Sequence, residues 1–362
     1  MRVLIAGGGT GGHLYPGIAV ARELLARVPD ARVSFVGTAR GIETRVLPRE
    51  GFELDVIRSS GLKGKSPLAL ARGLGLLPVG AADAWRVVSR RRPAVVIGVG
   101  GYSSGPVVFS AWLRGIPTLL MEQNALPGLT NRLLAHVADA AAVTYPETAA
   151  RFGDRAFVTG NPVRPAFVAA QRERAHEGSE GARPPRLLVF GGSQGAHAIN
   201  VAMVEAAPRL AAARPDLFVT HQTGERDAGF VRDGYRQAGL DARVEPFLYA
   251  MDDEMRAADL AVCRAGATTL AEVAAAGLPA ILVPLPGATD DHQRRNADAL
   301  VRDGAAVMVP QGDGFADRLG SAVVSLVEDR GRRMQMGVAV REFARPDAAA
   351  RIVDRVLQLV HR

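Results

Sequence analysis

The chain is predicted to be an α/β protein of two doubly wound, Rossmann-like domains facing a cleft, and three observations carry that expectation. A short apolar strand twice runs into a glycine-rich turn and a helix, as VLIAGGGTGGH over residues 3–13 and LLVFGGSQGAH over residues 187–197. At one offset Gly7, Gly8, Gly11 and His13 fall on Gly191, Gly192, Gly195 and His197, as two nucleotide-binding-type halves would produce. The length of 362 residues is long for one hydrophobic core and comfortable for two domains.

The remaining elements follow in order. Apolar runs at residues 3–6, 33–36, 95–97, 118–121 and 141–143, then at 187–190, 218–221, 260–263 and 280–283, are short and continuous. Parallel strands covered by helices on both faces have that pattern. Residues 93–113 carry no charge and have the length of a membrane span, but GVGGYSSGP in their middle is turn chemistry. They read as strand, loop, helix. GNPVRP at residues 160–165 holds two prolines that break regular structure. Residues 171–185 lack periodicity and read as a surface loop. Ala344, Arg345 and Pro346 interrupt two helices, and Ile352, Val356 and Leu359 form an apolar helical face. The expected domains are 1–160 and 161–345, with a terminal helix over 346–362 packing back on the first.

Composition narrows the function classes. With 48% hydrophobic and 22% charged residues the chain is globular rather than disordered. Cys263 is its one cysteine, which excludes an internal disulfide and fits a reducing cytosol. Arg2 and a short apolar run precede the first glycines, too little for a signal peptide. The net charge of +7 implies an anionic partner. Nucleic acid is not expected, because no helix-turn-helix, zinc spacing or RNP-type motif is present and only 5% of residues are aromatic. Residues 63–92 interleave Leu68, Leu70, Leu74, Leu76, Leu77, Val79 and Trp85 with Lys63, Lys65, Arg72, Arg86 and Arg90 to Arg92. Two readings stand: a surface that binds anionic lipid reversibly, or the core of a helical hairpin.

The motifs carry the chemistry. GGGTGGH contains G-x-G-x-x-G at Gly7, Gly9 and Gly12, so a dinucleotide site has to be considered. The second strand is followed by Gly37, Thr38 and Ala39, where NAD binding calls for an acid. His13 stands where a helix begins, which favours the neutral imidazole and makes it a general base or a residue capping a turn. Ser193 in GGSQGA can donate to a phosphate oxygen beside helix amides. Glu272 lies three residues after Thr269, so it either closes a capping box or binds ribose hydroxyls. PLPGATDDHQRRN over 284–296 reads as a loop suited to sugar hydroxyls. Asp290, His292 and Gln293 are metal ligands by type, but glutamine is a poor one and no other ligand is placed beside them. The pairs Asp252 with Asp253 and Asp290 with Asp291 lack the spacing of a DxD metal motif and read as solvated loop carboxylates.

Taken together, GGTGGH, GGYSSGP, EQN, GNPVR, GGSQGA, CRAGATTLAE and DHQRRNA stand in the order and spacing of the MurG family of bacterial peptidoglycan glycosyltransferases. The chain resembles that family over essentially its whole length. The resemblance implies a GT-B fold and inverting transfer of N-acetylglucosamine from UDP-GlcNAc to the C4 hydroxyl of a muramyl pentapeptide on undecaprenyl diphosphate. It assigns the donor to the second half: Arg164 and Ser193 at the diphosphate, the backbone of Leu248 at uracil, and Glu272 at the ribose. Ala267, Thr269, His292, Gln293 and Asn124 then surround the diphosphate and sugar. Some members carry glutamine where this chain has His292. Thr10, Gly11, Gly12, Tyr102 and Ser103 are assigned to the acceptor diphosphate, and His13 to the base. No metal or cofactor is required in this reading, a divalent cation being at most a stimulant. The expected partners are UDP-GlcNAc, the lipid-linked muramyl pentapeptide, an anionic membrane surface and cell-wall synthesis proteins, at the cytoplasmic face of the membrane. The competing expectations are a UDP-GlcNAc 2-epimerase of the same fold and a basic nucleotide- or RNA-binding module.

Overall fold

The computed structural model describes residues 1–39, 41–59, 77–167, 183–192, 195–288 and 291–361. By contacts the chain divides into one unit of Met1–Arg164 with Arg345–Arg362, and a second of Pro165–Ala344.

The first unit is a parallel sheet of β1 (Arg2–Gly7), β2 (Arg32–Gly37), β3 (Glu53–Val56), β4 (Val95–Gly100), β5 (Thr118–Glu122), β6 (Ala140–Val143) and β7 (Ala156–Val158). Its strand order is β3-β2-β1-β4-β5-β6-β7. The helices are α1 (Gly11–Arg27), α2 (Glu43–Arg49), α3 (Leu77–Arg91), α4 (Ser104–Leu113), α5 (Leu129–Leu134) and α6 (Pro146–Ala149). Strand β4, VVIGVG, is buried at every position, as a central strand covered on both faces must be. Strand order reverses between β1 and β4, and that switch point is where α/β sheets bind ligands, beyond the strand C-termini. Residues 95–113 form a strand, a loop and a helix, as read from the turn chemistry.

A C-terminal helix, Ala348–Val360, packs on α1 and completes the core of this unit. Ile352, Val356 and Leu359 are buried there with Val3, Ile5, Leu14 and Ile18. Burial of side chains of this size contributes roughly 1.5–3 kcal/mol each.

The second unit repeats the topology with β8 (Arg186–Phe190), β9 (Phe218–Gln222), β10 (Asp241–Glu245), β11 (Leu260–Cys263), β12 (Ala280–Leu282) and β13 (Ala306–Met308). The order is β10-β9-β8-β11-β12-β13, so its switch point lies between β8 and β11. Its helices are α7 (His197–Ala213), α8 (Ala228–Gln237), α9 (Met251–Ala257), α10 (Ala267–Ala276), α11 (His292–Arg302), α12 (Phe315–Glu328) and α13 (Arg330–Arg341). Helix α10 stops at Gly277, whose φ of 60° is the left-handed C-cap that glycine supplies without steric cost.

Three sequence expectations are corrected here. GNPVR belongs with the first unit, whose boundary falls after Arg164: a Cβ on Gly160 would lie 2.4 Å from the Arg345 side chain. His292 and Gln293 begin helix α11 rather than lying in a loop. Asp252 and Asp253 sit in the first turn of α9, where carboxylates complement the helix dipole, and Asp253 pairs with Arg256. The expected surface loop at 171–185 lies mostly outside the described residues.

Candidate active site

At the first switch point, backbone meets backbone. A Cβ on Gly101 would stand 2.6 Å from the carbonyl oxygen of Gly8, and one on Gly100 would stand 2.8 Å from Cδ2 of the His13 ring. Side chains at either position would separate the two loops or displace the imidazole. Thr10 is the N-cap of α1 and its side chain caps nothing. Its hydroxyl lies 3.3 Å from His13 Nδ1 instead. His13 is the third residue of the helix and not its N-cap. Gly11 and Gly12 form the first turn, and Tyr15 packs so close that a Cβ on Gly11 would lie 3.0 Å from its ring. Tyr102 is more than half exposed; Ser103 beside it is buried and is the N-cap of α4.

Two residues assigned to the donor by resemblance lie in this first unit. Arg164 stacks its guanidinium 4.7 Å from the centre of the Tyr15 ring. Asn124 donates to the buried Glu122 carboxylate through its backbone N–H, at 3.0 Å, and its side chain, at 3.3 Å. Gly128 N–H and Asn131 Nδ2 complete that shell at 3.0 and 2.9 Å. Burial raises the Glu122 pKa, and these hydrogen bonds oppose the rise. EQN therefore folds its own loop. Sequence reading passed over Glu122, although a carboxylate closing the apolar run TLLME was a usable signal.

The second switch point is braced differently. Gln222, at the end of β9 and buried, donates through Nε2 to Gly192 O at 2.7 Å and accepts from Leu248 N–H at 2.9 Å. The glycine turn and the Leu248 segment are thereby tied together. Leu248 is buried and its N–H is already used, so any contact it makes to a base falls to other backbone atoms. Gly195 sits where a Cβ would lie 1.8 Å from Thr223 O, at a φ of +74°. Only glycine fits both conditions. Ser193 lies outside the described residues.

Behind this loop runs a chain of polar groups of which the sequence pointed only to His197. His197 Nδ1 lies 2.9 Å from Asp227 Oδ2, Asn200 Nδ2 donates to the same oxygen at 2.8 Å, and Asn200 Oδ1 lies 3.0 Å from His221 Nε2. The Tyr235 hydroxyl lies 2.8 Å from His221 Nδ1. Burial pushes the His221 pKa down to about 3 and raises that of Tyr235. His221 is neutral, so Nε2–H donates to Asn200 and Nδ1 accepts from tyrosine.

Helix α10 settles one alternative left open by the sequence. Its N-cap is Gly266, so Thr269 is the third residue and Glu272 lies more than a turn inside. Glu272 cannot close a capping box there. It is buried near the Cys263 thiol, whose pKa burial, aided by the Glu272 charge, pushes up to about 12. Ala267 begins the helix and is buried. Arg264 just before it binds Val283 O, Pro284 O and Gln311 Oε1 at 2.9–3.2 Å, and burial lowers its pKa. Gln293 Oε1 accepts from Leu285 N–H at 2.9 Å. Among the described residues no cluster of three His, Cys, Asp or Glu side chains could hold a metal ion.

Two parallel sheets, each with a glycine turn at its switch point, make a GT-B-type fold. Residues 3–143 match the glycosyltransferase family 28 N-terminal domain and residues 186–352 its C-terminal domain; the chain belongs to glycosyltransferase family 28. It is 47% identical to the UDP-N-acetylglucosamine–N-acetylmuramyl-(pentapeptide) pyrophosphoryl-undecaprenol N-acetylglucosamine transferase of Anaeromyxobacter dehalogenans strain 2CP-C, over 100% of this chain and 94% of that protein. A crystal structure of Acinetobacter baumannii MurG matches with a TM-score of 0.77 and 32% identity, covering 99% of both chains. A UDP-GlcNAc 2-epimerase from Neisseria meningitidis, bound to UDP-GlcNAc, matches with a TM-score of 0.68 over 99% of this chain and 100% of that one. At 14% identity it shares the fold alone.

Proposed function

We propose that the chain transfers N-acetylglucosamine from UDP-GlcNAc to the C4 hydroxyl of a muramyl pentapeptide carried on undecaprenyl diphosphate, with inversion, in peptidoglycan synthesis. The observation that carries this reading is the 47% identity, end to end, to a transferase named for that reaction. An epimerase reading has only a fold in its favour.

The donor is assigned to the second unit. The glycine turn at Gly191 and Gly192 with Ser193 takes the diphosphate, Glu272 the ribose hydroxyls, and the Leu248 segment the uracil. Thr269, Ala267, His292 and Gln293 are assigned to the sugar side, and Asn124 and Arg164 keep the donor role that the family resemblance gives them. The acceptor diphosphate is assigned to Thr10, Gly11, Gly12, Tyr102 and Ser103. His13 is the base. With Nδ1–H donating to the Thr10 hydroxyl, Nε2 keeps its lone pair and takes the proton from the acceptor hydroxyl. The acceptor oxygen forms its bond to the anomeric carbon as the bond to phosphate breaks, and UDP leaves with the electron pair. Positive charge and helix amides stabilise the leaving diphosphate, so no metal is required.

Membrane association is reversible and peripheral in this reading. Among the described residues no helix is long and apolar enough to cross a membrane. Residues 60–76, which hold most of the leucines of the basic stretch, lie outside the described residues. Support comes from the exposed Trp85 on α3 and Phe109, Trp112 and Leu113 on α4, flanked by Arg86, Arg90 and Arg114. Apolar side chains rimmed by cations suit an anionic cytoplasmic leaflet, where cell-wall synthesis proteins are the further partners.

Labelled UDP-GlcNAc incubated with the lipid acceptor tests the reaction. Label is expected in the organic phase only when acceptor is present, in chelator as well as in magnesium. Epimerised sugar with no transfer would overturn the assignment.

A further inference from the structure

The first glycine loop holds a buried carboxylate that the assigned chemistry does not use. Glu43 opens helix α2 and is fully buried. Its Oε2 accepts from Gly9 N–H at 2.8 Å, and its Oε1 accepts from Thr38 N–H at 2.8 Å and the Thr38 hydroxyl at 3.1 Å. Three glycines make room for it. A Cβ would lie 2.6 Å from the carboxylate carbon at Gly8, 2.5 Å from Cγ at Gly37 and 1.9 Å from Oε2 at Gly41.

In a nucleotide-binding α/β half, the amides of this turn are the donors that receive a diphosphate. Here one of them is given to an anion of the chain itself. Thr38 occupies the stretch after β2 where a ribose-binding acid would stand, and its hydroxyl also turns to Glu43. From the carboxylate a line of close contacts leads on: Gly8 meets Gly101, and Gly100 next to it meets the His13 ring. The second unit offers the contrast, since its brace, Gln222, is neutral and grips the turn by the carbonyl of Gly192.

We propose that Glu43 is a positioning residue of the acceptor side: its carboxylate stands in for a bound nucleotide phosphate on the first glycine turn and sets the loop that seats His13. The inference rests on the reading of His13 as base and of the first unit as the acceptor side. Its consequence is a division of labour, with the nucleotide confined to the second unit because the Gly9 amide of the first turn is already committed to Glu43, while Thr10, Gly11 and Gly12 remain for the acceptor diphosphate.

The test is Glu43→Gln, which is nearly isosteric but turns one acceptor oxygen into an NH2 group facing an N–H donor. Steady-state transfer is measured with each substrate varied in turn, and UDP-GlcNAc affinity and stoichiometry by calorimetry. The expected result is a loss of about 10²-fold in acceptor kcat/KM, the scale of an ångström-sized misplacement, with UDP-GlcNAc affinity unchanged at one site per chain. Wild-type acceptor kinetics in the variant, or a parallel loss of UDP-GlcNAc binding, would overturn the proposal. If Glu43→Gln does not fold, Thr38→Val decides: it deletes one hydroxyl donor to Oε1, and a smaller fall in acceptor kcat/KM with donor affinity unchanged is required. Absence of transfer by the wild-type protein would instead remove the underlying reading.

Discussion

The two glycine turns are spelled almost alike and are held by opposite chemistry. The first, after β1, is braced by a carboxylate that takes an amide hydrogen from Gly9; the second, after β8, is braced by a carboxamide that gives a hydrogen to Gly192 O. Their histidines differ in the same way. His13 is oriented by a hydroxyl, Thr10, and His197 by a buried carboxylate, Asp227. A shared backbone motif thus says that a turn can approach an anion, while the side chains behind it decide which of its amides stay open to one from solution. In the proposed mechanism the base falls on the first turn and the nucleotide on the second.

The largest effect expected from breaking that comparison is on the base. His13→Ala should lower turnover by about 10²- to 10⁴-fold, the usual worth of a general base, with UDP-GlcNAc affinity kept within the error of a calorimetric titration. Unchanged turnover would move the base elsewhere on the first unit.

The next effect belongs to the polar chain behind the second turn and is read as stability. His221 titrates near 3 in the folded protein because it is buried and near 6.5 when unfolded. Between those values the unfolded chain binds the extra proton. The contribution is therefore complete above about pH 6.5 and declines as pH falls, reaching a loss of about 2–3 kcal/mol by pH 4.5. Denaturant titrations of the wild type and His221→Asn at pH 7.5 and 4.5 check this. Equal pH dependence in the two proteins would dismiss His221 as its source.

Much of the fold was legible because its central strands are continuous apolar runs: β1, β4, β5, β8 and β11 announce themselves. The edge strands did not. β3 reads ELDV and β10 reads DARVE, both half exposed and carrying charge, while β7 and β13 have three residues each. Apolar periodicity fades where a strand has one neighbour and one wet side. The site was legible where backbone geometry demands glycine, at Gly100, Gly101 and Gly195. It was illegible where the partner is distant in sequence. Glu43 reaches Gly9 and Gln222 reaches Leu248 across loops, and no spacing rule links them. The capping-box spacing of Thr269 and Glu272 misled because the N-cap lies three residues earlier, at Gly266.

That correction removes the capping box as a role for Glu272, and the proposed ribose contact can be tested directly. Glu272→Ala should weaken UDP-GlcNAc binding at least about tenfold, or roughly 1.4 kcal/mol, just below the low end for a hydrogen bond to a charged group. Acceptor KM should stay as in the wild type. Unaltered donor affinity would free the residue from the ribose.

The smallest effect is the most direct check on reading function from the repeat. His197 occupies the position of His13 in the second turn, yet its Nδ1 is committed to Asp227, and Asp227 keeps a second donor in Asn200 when the imidazole is removed. The His197 side chain is mostly exposed, so its loss opens no cavity. His197→Ala should therefore leave kcat within about twofold of wild type, under 0.5 kcal/mol, measured beside His13→Ala in the same assay. A loss comparable to that of His13→Ala would mean that both turns take part in the chemistry, and that a carboxylate behind a histidine does not mark the spectator.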